Sequence, residues 1–395
     1  MRSLLLQIAA VTRINVRSIP QRLWLSLSTV VAVALVVMVL LAFLAMANGF
    51  KRTIAGSGSP DIAIVLRGGS QSELNSVILR DQIVLIEEGP GIARNPQGKP
   101  LTSAELYLTV DGLKRSSNTR ANLPLRGIGQ EGAAVRRNIR IAEGRMFNPG
   151  TNEIVVGKAL TREFAGFDLG DTVRFGTSTW KVVGVFDAEG SVFESEIWAD
   201  LPVVQSLFRR NNAYQTVRLR LADQNALPAL AKYLDEDPRL KLEVKSEQAY
   251  FAEQAAQTGD LIQNLGWPLA IAMAFGALAG ALNTMYSSVA ARATEIATLR
   301  AIGFAAFPAF AGTLVESLVL AAAGGLIGVL ATMLVFDGFS ASTLGASFTQ
   351  VVFSFKLTPT LMLQGLILAL IVGLVGGLFP AIRAARMPVV QGLYG

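Results

Sequence analysis

Four long apolar runs, residues 23–47, 265–290, 310–336 and 361–382, constrain this chain more than any other feature. A hydrocarbon core of about 30 Å takes roughly 20 apolar residues in a helix, and each run meets that length. Between the first and second runs lies a segment of ordinary soluble composition, 48–264. The expected class is a membrane α-helical protein with four transmembrane helices, one plus three, and a large extracytoplasmic α+β domain between the first and second. A mean hydropathy of +0.45 agrees. So does a charged fraction of 16%, where a soluble domain carries about 25%.

The first run has a competing reading as a cleaved signal, because basic residues precede it and Ala45-Met46-Ala47 has the look of a cleavage site. A signal's apolar core is roughly 7–15 residues, whereas this run continues almost unbroken from Leu23 to Ala47. An uncleaved anchor is expected.

Arginine placement gives the orientation. Arg2, Arg13, Arg17 and Arg22 precede the first span, Arg292 and Arg300 stand between the second and third, and Arg383 and Arg386 follow the fourth. If every run crosses, all of these fall on one side, which the positive-inside rule makes cytoplasmic. The net charge of +6 then reads as topology rather than nucleic-acid binding, since no basic patch with stacking aromatics sits on a polar domain. The implied division is a basic cytoplasmic segment 1–22, span 23–47, an outer α+β core domain 48–245, a stalk helix 246–264 and span 265–290. A cytoplasmic hairpin 291–309, span 310–336, a short outer loop 337–360, span 361–382 and a cytoplasmic tail 383–395 complete it.

The chain contains no cysteine and no histidine. That removes Cys/His metal sites, cysteine nucleophiles and Ser-His-Asp triads, so no catalytic or metal-ligating residue is nominated. Gly98-Lys99 and Gly157-Lys158 are followed by Pro100 and Ala159, where a phosphate-binding loop needs Ser or Thr. The acid clusters Glu87-Glu88 and Asp235-Glu236-Asp237 read as solvated surface. Strands are expected at 61–66, 106–110, 153–156, 172–175, 180–186 and 217–221, and helices at 74–86, 158–165, 202–208 and 225–234. Trp180 and Phe186 are expected in the core.

Each of the last three spans carries small residues at a spacing that lets helices approach closely: Gly276 and Gly280, Gly324 and Gly328, Gly373 and Gly377. The first span has none, which places it at the periphery. Glu316 is the sole carboxylate well inside a span, and a charge there needs a partner or the interface. Asn283, Thr284, Tyr286 and Ser287 are the available partners, and Glu316 reads either as a structural polar clamp or as a moving part of a switch.

The hairpin between the second and third spans reads as a short helix. Glu295 stands in its first turn and Arg300 in its last, both matched to the helix dipole, and Gly303 is the expected stop. Ile296, Leu299 and Ile302 form an apolar face that either lies on lipid headgroups or docks into another protein.

The run 292–303, Arg-Ala-Thr-Glu-Ile-Ala-Thr-Leu-Arg-Ala-Ile-Gly, followed by Glu316 and Gly324-Gly325, resembles the signature of the FtsX/MacB-type (type VII) ABC transporter permeases, as does the tail 379–389. Residues 144–185, with Leu169-Gly170-Asp171, look like that family's periplasmic core domain. The resemblance implies an inner-membrane permease subunit whose hairpin is a coupling helix seated in a groove of an ATPase. Glu295, Ile296, Leu299, Arg300 and Gly303 would then transmit nucleotide-driven closure. It further implies two permease chains, alike or different, with ATPase subunits on separate polypeptides that bind ATP and Mg, and a periplasmic adaptor. The implied work is mechanotransmission for export or extraction of a lipid, lipoprotein, peptide or small amphiphile. The alternative is a signalling mechanotransmitter that activates a cell-wall hydrolase.

Overall fold

The computed structural model of the chain describes residues 2–136, 138–345 and 349–389. The path opens with α1 (Arg2–Ser18), a single 3-10 turn (Ile19–Arg22) and α2 (Leu23–Ala55). Next come β1 (Ile62–Arg67), β2 (Ile78–Leu79), α3 (Arg80–Glu87), β3 (Thr102–Lys114), β4 (Arg120–Ile128), α4 (Gly132–Val135) and β5 (Arg140–Gly144). The middle of the α+β region holds β6 (Glu153–Gly157), α5 (Lys158–Glu163), β7 (Phe164–Ala165), β8 (Thr172–Phe175) and β9 (Ser178–Asp187). It closes with β10 (Ile197–Asp200), α6 (Leu201–Leu207), β11 (Ala213–Tyr214), β12 (Thr216–Arg220), α7 (Leu227–Glu236) and β13 (Leu242–Ser246). Then follow α8 (Glu247–Ala291), α9 (Ala293–Ala301), α10 (Ala306–Phe336), β14 (Ser340–Leu344), β15 (Gln350–Ser354) and α11 (Pro359–Arg386).

These elements form two compact units. The helical unit comprises Met1–Asn48, Leu261–Phe339 and Phe355–Gly395. Among the described residues it holds, within α2, α8, α10 and α11, four helices long and apolar enough to cross a membrane. The glycines of α10 decide its packing. A Cβ on Gly324 would stand 2.7 Å from the Val30 carbonyl oxygen, and one on Gly328 would stand 2.7 Å from that of Ala34. The stripe is therefore filled by α2, whose Val33, Val37, Leu40 and Leu41 are buried. The sequence expectation that the first span lies at the periphery is overturned, because close approach needs small residues on only one of two partners. On α11, a Cβ at Gly373 would come within 2.4 Å of Ala321 Cβ and one at Gly377 within 2.5 Å of Ser317 Cβ. A Cβ on Gly276 or Gly280 of α8 would meet nothing from the other described elements within 4 Å, and Leu265, Leu269, Ile271 and Phe275 of that helix are exposed.

The α+β unit, labelled the outer unit after the orientation expected from the arginines, comprises Gly49–Asp260 and Ser340–Ser354. Its 11-stranded sheet runs β13-β1-β12-β3-β4-β10-β6-β9-β5, with β7 and β8 attached to β3 and β9. Most pairs are antiparallel, while β10 runs parallel to β4 and β6 parallel to β9. The long β3 joins the two halves, pairing with β12 near its start and β4 along its remainder. One core gathers Leu123, Phe164, Trp180 and Ile197, and the other Val65, Ile86, Val217 and Leu230. Trp180 and Phe186 are fully buried, as expected. The β8–β9 turn is a hairpin through Gly176, whose φ of +59° suits glycine.

One expectation fails here and a second gains detail. Residues 74–86 are not one helix. A 3-10 turn at Glu73–Asn75 and strand β2 precede α3, because Glu73 turns inward to buried guanidinium groups. The short outer loop 337–360 holds a strand pair, β14 with β15. Val352 joins the outer core, its N–H donates to Ser195 Oγ at 2.9 Å, and Tyr107 and Thr349 share a hydrogen bond of 3.1 Å.

Candidate functional site

The helix α9 is too short to be stable by propensity, so its position depends on what its side chains hold. Arg292, the single residue between α8 and α9, is buried. Its Nη1 donates to Glu316 Oε2 at 3.1 Å, its Nη2 donates to Asn15 Oδ1, and its Nε donates to Glu295 Oε2 at 3.2 Å. Ser288 Oγ donates to the other carboxylate oxygen of Glu316 at 3.2 Å and accepts from Arg22 Nη1 at 2.7 Å. Two guanidiniums thus balance two carboxylates, and the network ties α1, the 3-10 turn, α8, α9 and α10 together.

The far end of α9 is anchored separately. Arg300 Nη1 donates to the carbonyls of Ala385 at 3.1 Å and Met387 at 2.7 Å. The last carbonyls of a helix have no intrahelical partner, so Arg300 caps α11 rather than only matching its own dipole. Gly303 ends the helix with φ +103°, and Phe304 N–H closes the turn onto the Leu299 carbonyl.

Two further readings from the sequence are corrected. The supposed apolar face is divided: Ile296 is buried against Val289, Ala309 and Ala384, while Ile302 is exposed and Leu299 and Arg300 are half-buried. Positions i, i+3 and i+6 sweep about 120° of arc, too wide for one contact line. The outward face carries Glu295, Thr298 and Ile302. The polar partners proposed for Glu316 are not the ones it uses. Thr284 and Ser287 donate to the carbonyls of Gly280 and Asn283 four residues back, and Tyr286 lies under the Arg383 guanidinium. The sequence reading takes Arg292 as a topological charge and as the first residue of the family-like run, and nothing local in the sequence points to Asn15 as its partner.

The outer unit holds a second ionic cluster that sequence reasoning missed. Glu73, Glu105, Glu196 and Glu247 are buried with Arg126, Arg136 and Arg218. Arg126 donates to Glu73, Glu105 and Glu196, and Arg218 to Glu73, Glu105 and Glu247. Arg136 donates twice to Glu105, at 2.7 and 2.8 Å. Burial alone would raise the Glu73 carboxyl, but the charges and hydrogen bonds of Arg126 and Arg218 overcome it and hold it at about 2. Arg136, Arg218 and Arg126 likewise outweigh burial at Glu105, which lies far below the ordinary range. The expected surface acids lie at the surface: Glu88, Asp235 and Glu236 are exposed, and Asp237 pairs with Arg239 at 2.6 Å.

Four helices long and apolar enough to cross a membrane, an α+β unit inserted after the first of them and a clasped hairpin after the second define the class of architecture. The chain belongs to the family with a MacB-like periplasmic core domain, matched over residues 26–237, and an FtsX-like permease C-terminal region, matched over 268–389. It is 25% identical over 391 residues to the macrolide export ATP-binding/permease protein MacB 1/2 of Paracoccus denitrificans, covering 93% of this chain and 55% of that one. It is 26% identical over 290 residues to MacB 1 of Aeromonas hydrophila, covering 68% of this chain and 42% of the relative. The chain thus spans about half the length of these relatives. Among solved structures, the periplasmic region of MacB from Actinobacillus actinomycetemcomitans aligns with a TM-score of 0.37 and 15% identity, covering 51% of this chain and 94% of that one.

Proposed function

We propose that this chain is the permease subunit of an ABC transporter, coupling ATP hydrolysis on a separate ATPase subunit to motion of its outer domain. The work done is export or extraction of a lipid, lipoprotein, peptide or small amphiphile. In this reading the protein lies in the inner membrane as one of two permease chains, with ATP and Mg on the partner ATPase and an adaptor on the outer side. Arginine placement supports a cytoplasmic α9 and an outward α+β unit.

One observation carries the proposal. The exposed Glu295 of α9 is bonded to Arg292, which also holds Glu316 of α10 and Asn15 of α1. A partner that displaces α9 pulls directly on three helices. The test is Glu295→Arg in the permease co-expressed with its partner ABC ATPase. The expected result is a folded permease that retains little ATPase and no stimulated hydrolysis. Wild-type co-purification with full stimulation would refute the coupling role. Orientation is tested separately. The chain has no cysteine, so Ser178→Cys should react with an impermeant maleimide from outside and Thr298→Cys should not. The reverse pattern would overturn the topology.

A further inference from the structure

The first turn of α8 belongs to the outer unit, well before the apolar stretch 265–290. It is packed tightly: a Cβ on Gly58 would stand 2.5 Å from the Gln248 backbone, Phe251 meets Phe193 edge to face at 5.7 Å, and Tyr250 Oη accepts the Glu73 N–H at 3.2 Å. Glu247, the first residue of this helix, is also the fourth carboxylate in a cluster with three guanidiniums. Among the described residues, this cluster carries one unmatched negative charge away from water, which is costly unless a proton or counter-ion joins it.

Hydrogen bonding shows where the excess falls. Glu73 receives four guanidinium bonds from Arg126 and Arg218. Glu105 receives bonds from Arg126, Arg136 and Arg218 and from Ser103 Oγ. Glu196 receives two from Arg126 and one from Trp198 Nε1. Glu247 has Arg218 Nε at 2.9 Å on one oxygen and only the Ser59 N–H at 3.4 Å on the other. Glu247 also lines a cavity of about 200 Å³, together with Arg136, Glu189, Ser191 and Phe193. The ionisable groups around it are Arg218 on β12, Arg136 after α4, Asp61 beside Ser59 and Glu189 across the cavity. The α8 N-terminus favours an anion by about 0.5 of a charge, less than the whole charge in excess.

We infer that Glu247 is a proton-binding residue: in the folded protein its carboxyl carries the proton that neutralises the cluster at the root of α8. The cavity gives that proton a route to solvent. Burial pushes the Glu247 carboxyl up from its ordinary value, and the charges of Arg218 and Arg136 offset only part of it. A carboxyl raised by folding stabilises most below its unfolded value, and this contribution is lost as pH rises through the folded value. The attachment of α8 to the core therefore weakens as pH rises above the ordinary carboxylate range.

The test uses the full chain in lipid nanodiscs. Infrared difference spectra across a pH series should reveal a protonated carboxyl that titrates above the ordinary carboxylate range and is missing from Glu247→Gln. The unfolding midpoint, followed by fluorescence of the buried Trp180 and Trp198, should fall with rising pH in the wild type and stay level over the same range in Glu247→Gln. A wild-type spectrum without such a band, or a band that persists in Glu247→Gln, would refute the inference. So would a Glu247→Gln protein weakened equally at every pH. Should that variant not fold, Glu247→Asp takes its place, and a band left unmoved in Glu247→Asp refutes the inference.

Discussion

The two ionic networks differ chiefly in whether they reach the surface. In the outer unit every side chain from Arg126 to Glu247 is at most 5% exposed, whereas the helical network runs from the buried Arg292 and Glu316 to Glu295 with 59% of its side chain in solvent. A sealed network holds elements together and exchanges at most a proton with its surroundings. A network with one open end can be moved by whatever binds that end. Burial, more than the number of charges, separates a fastening from a transmission element.

The largest test removes a fastening. Arg218→Met leaves Glu73, Glu105 and Glu247 short of a partner, and breaking a buried pair costs about 3–5 kcal/mol. The outer unit should unfold at far lower denaturant concentration, and a wild-type midpoint would show the cluster to be dispensable. Next comes acid. Glu73 falls from its ordinary 4.5 to about 2 on folding, so its contribution is complete above 4.5 and is lost as pH falls toward 2. Thermal midpoints of the wild type should drop across that interval, and Glu73→Gln should start lower and drop less. Glu316→Gln keeps the shape but removes the charge facing Arg292, with an expected cost of about 1–3 kcal/mol. Its ATPase stimulation should fall by more than its stability explains, and equal losses in both would make the network a second fastening. Smallest in stability is Glu295→Gln, within about 1 kcal/mol because the pair is half in water. Its unfolding curve should overlay the wild type while ATPase stimulation falls, and undiminished stimulation would erase the distinction between the networks.

The spans were legible because hydropathy over 20 residues is a strong signal, and the helix at α9 because Glu295, Arg300 and Gly303 mark its ends. Partners were not legible. Gly324 and Gly276 look alike in sequence, yet α2 lies against one while a Cβ on the other would meet nothing from the other described elements within 4 Å, since a small residue permits an approach without naming what approaches. Glu316 was rightly singled out as needing company, but Arg292 reaches it from beyond the end of α8, where spacing along a single helix gives no guide. The sealed cluster did leave a trace. Glu105, Arg126 and Arg218 each interrupt strands whose neighbours Leu106, Leu125 and Leu219 are fully buried. Opposite charges at the centres of apolar strands are costly unless they meet. Which strands are adjacent depends on the sheet order, so only the structure could pair them.

The anchoring of Arg300 bears on the order in which the chain matures. Its acceptors, the carbonyls of Ala385 and Met387, lie 85 and 87 residues further on, and Asn15, which binds Arg292, lies 277 residues earlier. Segments emerge from the ribosome in sequence, and contacts between distant residues form only after the later partner exists. The nine residues of α9 therefore cannot be fixed at both ends until α11 has been made. A chain interrupted before that point would have its outer unit and three of its spans but a loosely held α9. The surface proposed to meet the ATPase is thus completed late, so a half-made permease has little with which to engage its motor.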